Sequence, residues 1–231
     1  MAEDADIEAA AAGLVDGACY NAGQSCCGIE RVFVAQSKYE QFLERAQIHM
    51  EAYVLGDPME DTTTLGPMAL PHHTTHLKTH VDDAIAKGAR VLTRTGESTD
   101  ASGHGRFFLP TLVADCHNRM EVMQEESFGP ILAVAPVASD EEALEKMNDC
   151  KYGLTAAVFT TNEARAMKLG RQLQAGTVYM NRCDALDPRL PWTGVGESGK
   201  GQSLSKYGFS AFTQLKSVRG LNLCFGRLTC R

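Results

Sequence analysis

The stretch Tyr20-Asn21-Ala22-Gly23-Gln24-Ser25-Cys26-Cys27-Gly28-Ile29-Glu30-Arg31 joins a helical pattern to a strand pattern and holds a cysteine at its centre. Ahead of it, residues 4–19 read as a helix. Asp4 or Asp6 can cap it, and Ile7, Ala10, Ala11, Leu14 and Val15 recur at helical spacing. After it, Arg31 to Ala35 is rich in strand formers. Between the two, Asn-x-Gly-Gln suits a tight turn, because Gly23 reaches backbone angles closed to other residues. Such a turn lifts Cys26 from the end of a helix into a cleft. A thiol there is nucleophilic when a positive neighbour, backbone amides or a helix N-terminus favours the thiolate. Taken alone, a cysteine between glycines is more often a packed, inert thiol.

Outward from this stretch, helices and strands alternate. Ser37-x-x-Glu40 has the form of a capping box, opening a helix that turns Tyr39, Phe42, Leu43, Ala46 and Met50 inward, and Gly56-Asp57-Pro58 stops it. A third helix follows Pro71 and closes at Gly88, before a strand over Ala89–Thr93. Residues 95–105 read as an exposed loop, and Phe107–Val113 as a strand. The continuous apolar run Ile131–Val137 fits a strand buried on both faces. Ser139-x-x-Glu142 opens a helix over 140–149, followed by a strand at 154–160, a helix at 162–174 and a strand at 177–181. Strands separated by helices imply parallel crossovers and an α/β fold. Tyr207–Leu223 is β-rich with no helix after it, which suits an arm that pairs with a sheet edge.

Composition narrows the function classes. The net charge is −7, with Lys and Arg scattered, so nucleic acid and anionic membrane surfaces are not expected partners. No apolar run is long enough to span a bilayer, and the acidic start Met-Ala-Glu-Asp-Ala-Asp is no secretory signal. Eight cysteines without a C-x-x-C pair point to reduced thiols and a cytoplasmic setting. His72, His73, His76 and His80 fall at helical spacings, but with no acidic or cysteine partner nearby they read as a solvated helix face and not a metal site.

Three segments together resemble the aldehyde dehydrogenase family. The first is the opening stretch, similar to that family's nucleophile segment, with Cys26 in the place of the cysteine that attacks the aldehyde carbonyl. The second, Glu125-Glu126-Ser127-Phe128-Gly129-Pro130, is similar to its Glu-Glu-x-Phe-Gly-Pro box. The resemblance implies that Glu126 accepts the hydroxyls of the nicotinamide ribose, and that Phe128 packs beside it. The third runs from Gly176 to Gly201. It includes Asn181 and Trp192, which the resemblance makes substrate-lining, with Trp192 equally open to plain packing. Here Trp192-Thr193 replaces the family's Phe-Gly, and Gly196 stands where Lys is usual. Gly56-Asp57-Pro58, Leu65-Gly66-Pro67, Phe108–Thr111, Tyr152–Ala156 and Tyr207-Gly208 agree with it in order and spacing.

The resemblance implies a parallel-sheet catalytic domain over 1–202, truncated on its N-terminal side, and a C-terminal oligomerisation arm and tail over 203–231. It also implies oxidation of a small-molecule aldehyde to a carboxylic acid with NAD or NADP, through a thiohemiacetal and a thioester on Cys26, and a homo-oligomeric full-length form. The dinucleotide-binding domain, the oxyanion-stabilising Asn and the Glu-Leu-Gly-Gly-Lys general-base box of the family are absent from this chain. A non-catalytic remnant that associates with full-length subunits through 207–223 is the competing expectation, and an unassisted thiol esterase is a third.

Overall fold

Asp6, in an extended conformation, accepts the Ala9 N–H at 3.0 Å and so starts helix α1 (Ile7–Cys19). The computed structural model describes residues 1–99 and 105–219. The chain continues through β1 (Arg31–Ala35), α2 (Tyr39–Glu51), α3 (His73–Ala86), β2 (Arg90–Val91), β3 (Glu97–Ser98), β4 (Phe107–Phe108), β5 (Thr111–Ala114) and β6 (Ile131–Val137). It then forms α4 (Asp140–Asn148), β7 (Tyr152–Gly153), β8 (Thr155–Val158), α5 (Glu163–Gly170), β9 (Thr177–Met180), β10 (Trp192–Thr193), β11 (Val195–Gly196) and β12 (Gln202–Ser203).

The main sheet has the order β1-β6-β5-β2, with β1, β6 and β5 parallel and β2 antiparallel at the edge. A second parallel pair, β8-β9, is separate from it. Strand β6 is the centre of the core. Ile131, Leu132, Ala133, Val134 and Ala135 are almost fully buried, and removal of a side chain such as Leu132 from water is worth about 1.5–3 kcal/mol. Pro136 is tolerated near its end because β5 pairs only with Ile131–Ala133, so no ladder bond is lost there. Helix α2 lays Tyr39, Phe42, Leu43, Ala46 and Met50 against this sheet, as the spacing predicts.

Several local expectations change. No Ser37 cap forms: a 3-10 turn over Gln36–Lys38 leads straight into α2, without a side-chain cap. The single strand expected over Phe107–Val113 is two, since Leu109-Pro110 interrupts it. Its first part pairs with β3, which lies in the segment read as loop, and its second joins the main sheet. At Ser139 the hydroxyl does accept the Glu142 N–H, but Glu142 returns to the N–H of Ala138. Of the arm expected over 207–223, Gly208–Phe212 is a 3-10 turn and 213–219 pairs with no strand among the described residues; 220–223 lie outside them. Phe209, Phe212, Leu215 and Val218 are exposed. No helix among the described residues is long and apolar enough to cross a membrane.

Candidate active site

Helix α1 ends on three consecutive left-handed residues, Asn21 (φ 52°), Ala22 (φ 55°) and Gly23 (φ 73°). That conformation is strained for Ala22 and natural for Gly23. Side-chain bonds hold the turn closed. The Asn21 amide donates to Gln24 O at 2.9 Å, the Gln24 amide donates to Asn21 O at 3.0 Å, and Gln24 Oε1 accepts the Ala69 N–H at 2.7 Å. No side chain fits at residue 23, because a Cβ there would lie 2.1 Å from Gly129 O. The turn thus brings the Cys26 segment directly against the Gly129-Pro130 end of the second segment.

The two adjacent cysteines part ways. Cys26 is exposed and lines a cavity of about 380 Å³. Cys27 is buried, and its thiol donates to Asp184 Oδ1 at 2.6 Å and lies 3.4 Å from Ser25 Oγ. Burial, with the Asp184 carboxylate, pushes the Cys27 thiol up to about 12. Cys27 anchors the loop and Cys26 is the accessible sulfur.

Glu125 and Glu126 line the same cavity. Both oxygens of Glu125 are taken by Lys151 Nζ, at 2.7 and 3.0 Å. The Glu126 carboxylate makes no hydrogen bond among the described residues, so of the pair it is the one open to a ligand's hydroxyls. The loop beyond is held from two sides. Glu30 accepts the N–H groups of Ser127 (3.1 Å) and Phe128 (2.9 Å). From α3, His73 Nε2 donates to Ser127 O and Phe128 O at 2.9 and 3.0 Å, and His80 Nδ1 meets Ser127 Oγ at 3.0 Å. Phe128 is left-handed at φ 52° and half-buried, with its ring edge-on to His73. Burial raises the Glu30 carboxyl above its usual range and lowers His80 to about 4.

Asn181 and Trp192 do not line the Cys26 cavity. The Asn181 side chain makes two bonds to the Thr160 backbone, accepting its N–H and donating to its C=O, both at 2.9 Å, and so closes the end of β8 against β9. Trp192 is half-buried in the β10-β12 pair. The third segment reaches the cavity instead through Glu197 and Ser198. Gly196 is left-handed at φ 59°, and a Cβ there would lie 2.2 Å from Lys151 O, so this turn has no room for a lysine.

The aldehyde dehydrogenase family model matches residues 1–218. The chain belongs to the aldehyde dehydrogenase family. Betaine aldehyde dehydrogenase 1 of Rhizobium meliloti is 35% identical over 216 residues, covering 94% of this chain and 44% of that protein. Succinate semialdehyde dehydrogenase of Acinetobacter baylyi is 33% identical over 214 residues, covering 93% and 44%. Among solved structures, betaine aldehyde dehydrogenase from Staphylococcus aureus in complex with NAD+ matches at a TM-score of 0.86 and 31% identity, over 91% of this chain and 42% of that one. A mutant aldehyde dehydrogenase from Bacillus cereus matches at 0.89 and 33%, over 94% and 44%. The chain therefore spans less than half the length of the relatives it matches.

For an aldehyde dehydrogenase, the sequence reading missed Glu30, His73, His80 and Asp184 as the residues that hold the site's loops. Glu30 sits inside the opening stretch and its only signal was a carboxylate at the start of a buried strand. The histidine spacing was visible, but the expected solvated face was wrong for His80, which is 2% exposed and packed on Ser127. No cluster of three His, Cys, Asp or Glu side chains suited to a metal occurs among the described residues.

Proposed function

We propose that this chain is the catalytic portion of an NAD(P)-dependent aldehyde dehydrogenase, in which Cys26 is the nucleophile. The reading rests on one observation: of two adjacent cysteines, Cys26 alone is exposed, just after a strained turn, in a cavity it shares with Glu126, whose carboxylate makes no hydrogen bond among the described residues. The Cys26 thiolate adds to the carbonyl carbon of a small aldehyde and gives a thiohemiacetal with negative charge on oxygen. Its own backbone N–H is a donor for that charge. A bound NAD or NADP, held at Glu126 with Phe128 beside it, would supply the acceptor for the hydride of the former carbonyl carbon. What remains on Cys26 is a thioester, and water releases it as the carboxylic acid with return of the thiol.

The open Glu126 carboxylate suits two ribose hydroxyls, and Phe128 supports it from the next turn. Neither Glu30 nor Glu125 is free for that role, since both carboxylates already accept from protein groups. The domain boundaries at 202 and 203, the cytoplasmic setting and the homo-oligomeric full-length form belong to the same proposal. A second reading, association with longer subunits, draws support from the exposed Phe209, Phe212, Leu215 and Val218.

The protein isolated from its source, followed through the peptide carrying Cys26, should reduce NAD or NADP when an aldehyde is supplied. A Cys26→Ser form should lose at least about a thousandfold in rate. Undiminished turnover in that variant would sink the nucleophile assignment, and a native mass near 25.0 kDa without turnover would favour the association reading.

A further inference from the structure

One carboxylate next to the Cys26 segment has no part in the chemistry described so far. Asp184 does not line the Cys26 cavity and meets the segment through Cys27, whose thiol donates to Asp184 Oδ1 at 2.6 Å. Its second oxygen, Oδ2, has no hydrogen-bond partner among the described residues, and the half-buried side chain makes no ion pair among them. The neighbouring cations are engaged or turned to solvent. Arg31 donates to Met123 O and Met147 O, Lys151 is taken by Glu125, and Arg182 is exposed.

The loop holds this charge in a fixed place. The Tyr179 hydroxyl donates to Ala185 O, and the Cys183 thiol donates to Gly13 O at 3.0 Å. A Cβ on Gly17 would lie 2.7 Å from the Cys183 sulfur, so the loop is seated directly on α1. Asn181 (φ 53°) and Asp184 (φ 47°) make left-handed bends that short polar side chains tolerate. Cys27 has no need of the charge: an amide oxygen would accept the same S–H, and the carboxylate only opposes ionisation of that thiol. A half-buried carboxylate without a cation is unfavourable, unless the cation arrives with a ligand. Consecutive Cα atoms are about 3.8 Å apart, which sets Asp184 within about 10 Å of the Cys26 sulfur. At that range, in partly desolvated surroundings, one negative charge favours a cation over an anion by about tenfold.

We propose that Asp184 is the charge-selecting residue of this site: it favours cationic electrophiles at Cys26, and its free Oδ2 receives an ammonium or quaternary ammonium group carried by the aldehyde. This rests on the reading of Cys26 as nucleophile and Glu126 as ribose ligand. With the cavity side of Cys26 given to the cofactor, the remainder of the aldehyde extends past Cys27 toward Asp184. An aldehyde ending in a carboxylate meets like charge there and is disfavoured. Asp184→Asn keeps an acceptor for the Cys27 thiol and removes only the charge, so it separates selection from support of the loop.

The test labels Cys26 with three methanethiosulfonates, bearing a trimethylammonioethyl, a sulfonatoethyl or a methyl group. In each, the thiolate attacks the sulfenyl sulfur, a mixed disulfide forms and methanesulfinate leaves, so neither cofactor nor turnover is needed. Relative to a small free thiol, the cation-to-anion rate ratio at Cys26 should be raised by about tenfold, and should shrink as salt is added. Asp184→Asn should lower the ratio by at least about fivefold and leave the methyl reagent within about twofold. A ratio equal to that of the free thiol, one indifferent to salt, or one unchanged in Asp184→Asn but abolished in Glu126→Gln would overturn the proposal. Turnover of cationic and anionic aldehydes at equal kcat/KM would also overturn it, while leaving Cys26 as the nucleophile. The labelling preference without any turnover would support the Asp184 assignment and count against the nucleophile reading instead.

Discussion

Glu30 accepts the backbone N–H of Phe128 at 2.9 Å across a sequence separation of 98 residues, and its second oxygen takes the N–H of Ser127. One side chain from the Tyr20–Arg31 stretch therefore sets the loop that carries Glu126. Glu30→Ala leaves two N–H groups without an acceptor, and a loss of about 2–4 kcal/mol is expected. Glu30→Gln keeps one acceptor and should lose less. Burial raises the folded Glu30 carboxyl above its unfolded value, so between the two values the folded state holds more protons. Stability should fall as pH rises through that window, and Glu30→Gln should flatten the fall. Urea unfolding from pH 4 to 7 reads both effects. An unchanged slope in the Gln variant would show that Glu30 is not the group responsible.

His80 gives the opposite slope. Burial lowers its folded value to about 4, from the usual 6.5. The unfolded chain then binds the proton first as pH falls. The stability from a neutral His80 is present above pH 6.5 and is lost between about 6.5 and 4, on the order of 3 kcal/mol in all. Unfolding of His80→Gln over this range should show a shallower acid loss. The same acid loss in both proteins would assign it to other groups.

The α/β alternation was legible because each element is coded locally. Ile131–Val137 is apolar throughout, and α2 places its five inward residues at helical spacing, so neither depended on distant partners. The exposed position of Cys26 was legible because the Asn-x-Gly-Gln turn before it lifts the thiol from the helix end into a cleft. What escaped the sequence depends on which elements become neighbours. Asn181 was expected at the substrate wall, yet its amide matches the Thr160 backbone across the β8-β9 pair, a demand that no local pattern announces. Likewise the histidines of α3 became loop supports only because the 125–130 segment packs on that helix face.

Gly23 couples the turn before Cys26 to the second segment through contact alone. At φ 73°, with a Cβ site 2.1 Å from Gly129 O, Gly23→Ala meets both backbone strain and a clash with main-chain atoms. A loss of about 2–4 kcal/mol is expected. Gly88→Ala is the comparison: its φ is 99° but nothing lies within 4 Å of the added carbon, so only the backbone penalty of about 1–2 kcal/mol applies. Equal losses at the two positions, measured by chemical denaturation, would mean that the Gly23–Gly129 approach carries no energy of its own.

The contrast between Cys26 and Cys27 is open to direct chemical test. Alkylation requires thiolate and access together. Cys26 is exposed, whereas burial pushes the thiols of Cys19, Cys27 and Cys116 up to about 12, leaving roughly one in ten thousand ionised at pH 8. Iodoacetamide at pH 8 should therefore modify Cys26 ahead of Cys19, Cys27 and Cys116, as read from fragment ions that separate the two neighbours. Cys26→Ser should leave the peptide that carries Cys27 without its fast phase. Asp184→Ala takes away a hydrogen bond and a negative charge that both oppose the Cys27 thiolate, so Cys27 should gain about tenfold in rate while Cys26 remains first. If Cys27 were modified first in the unaltered protein, the division of the pair into an anchor and an accessible thiol would fail.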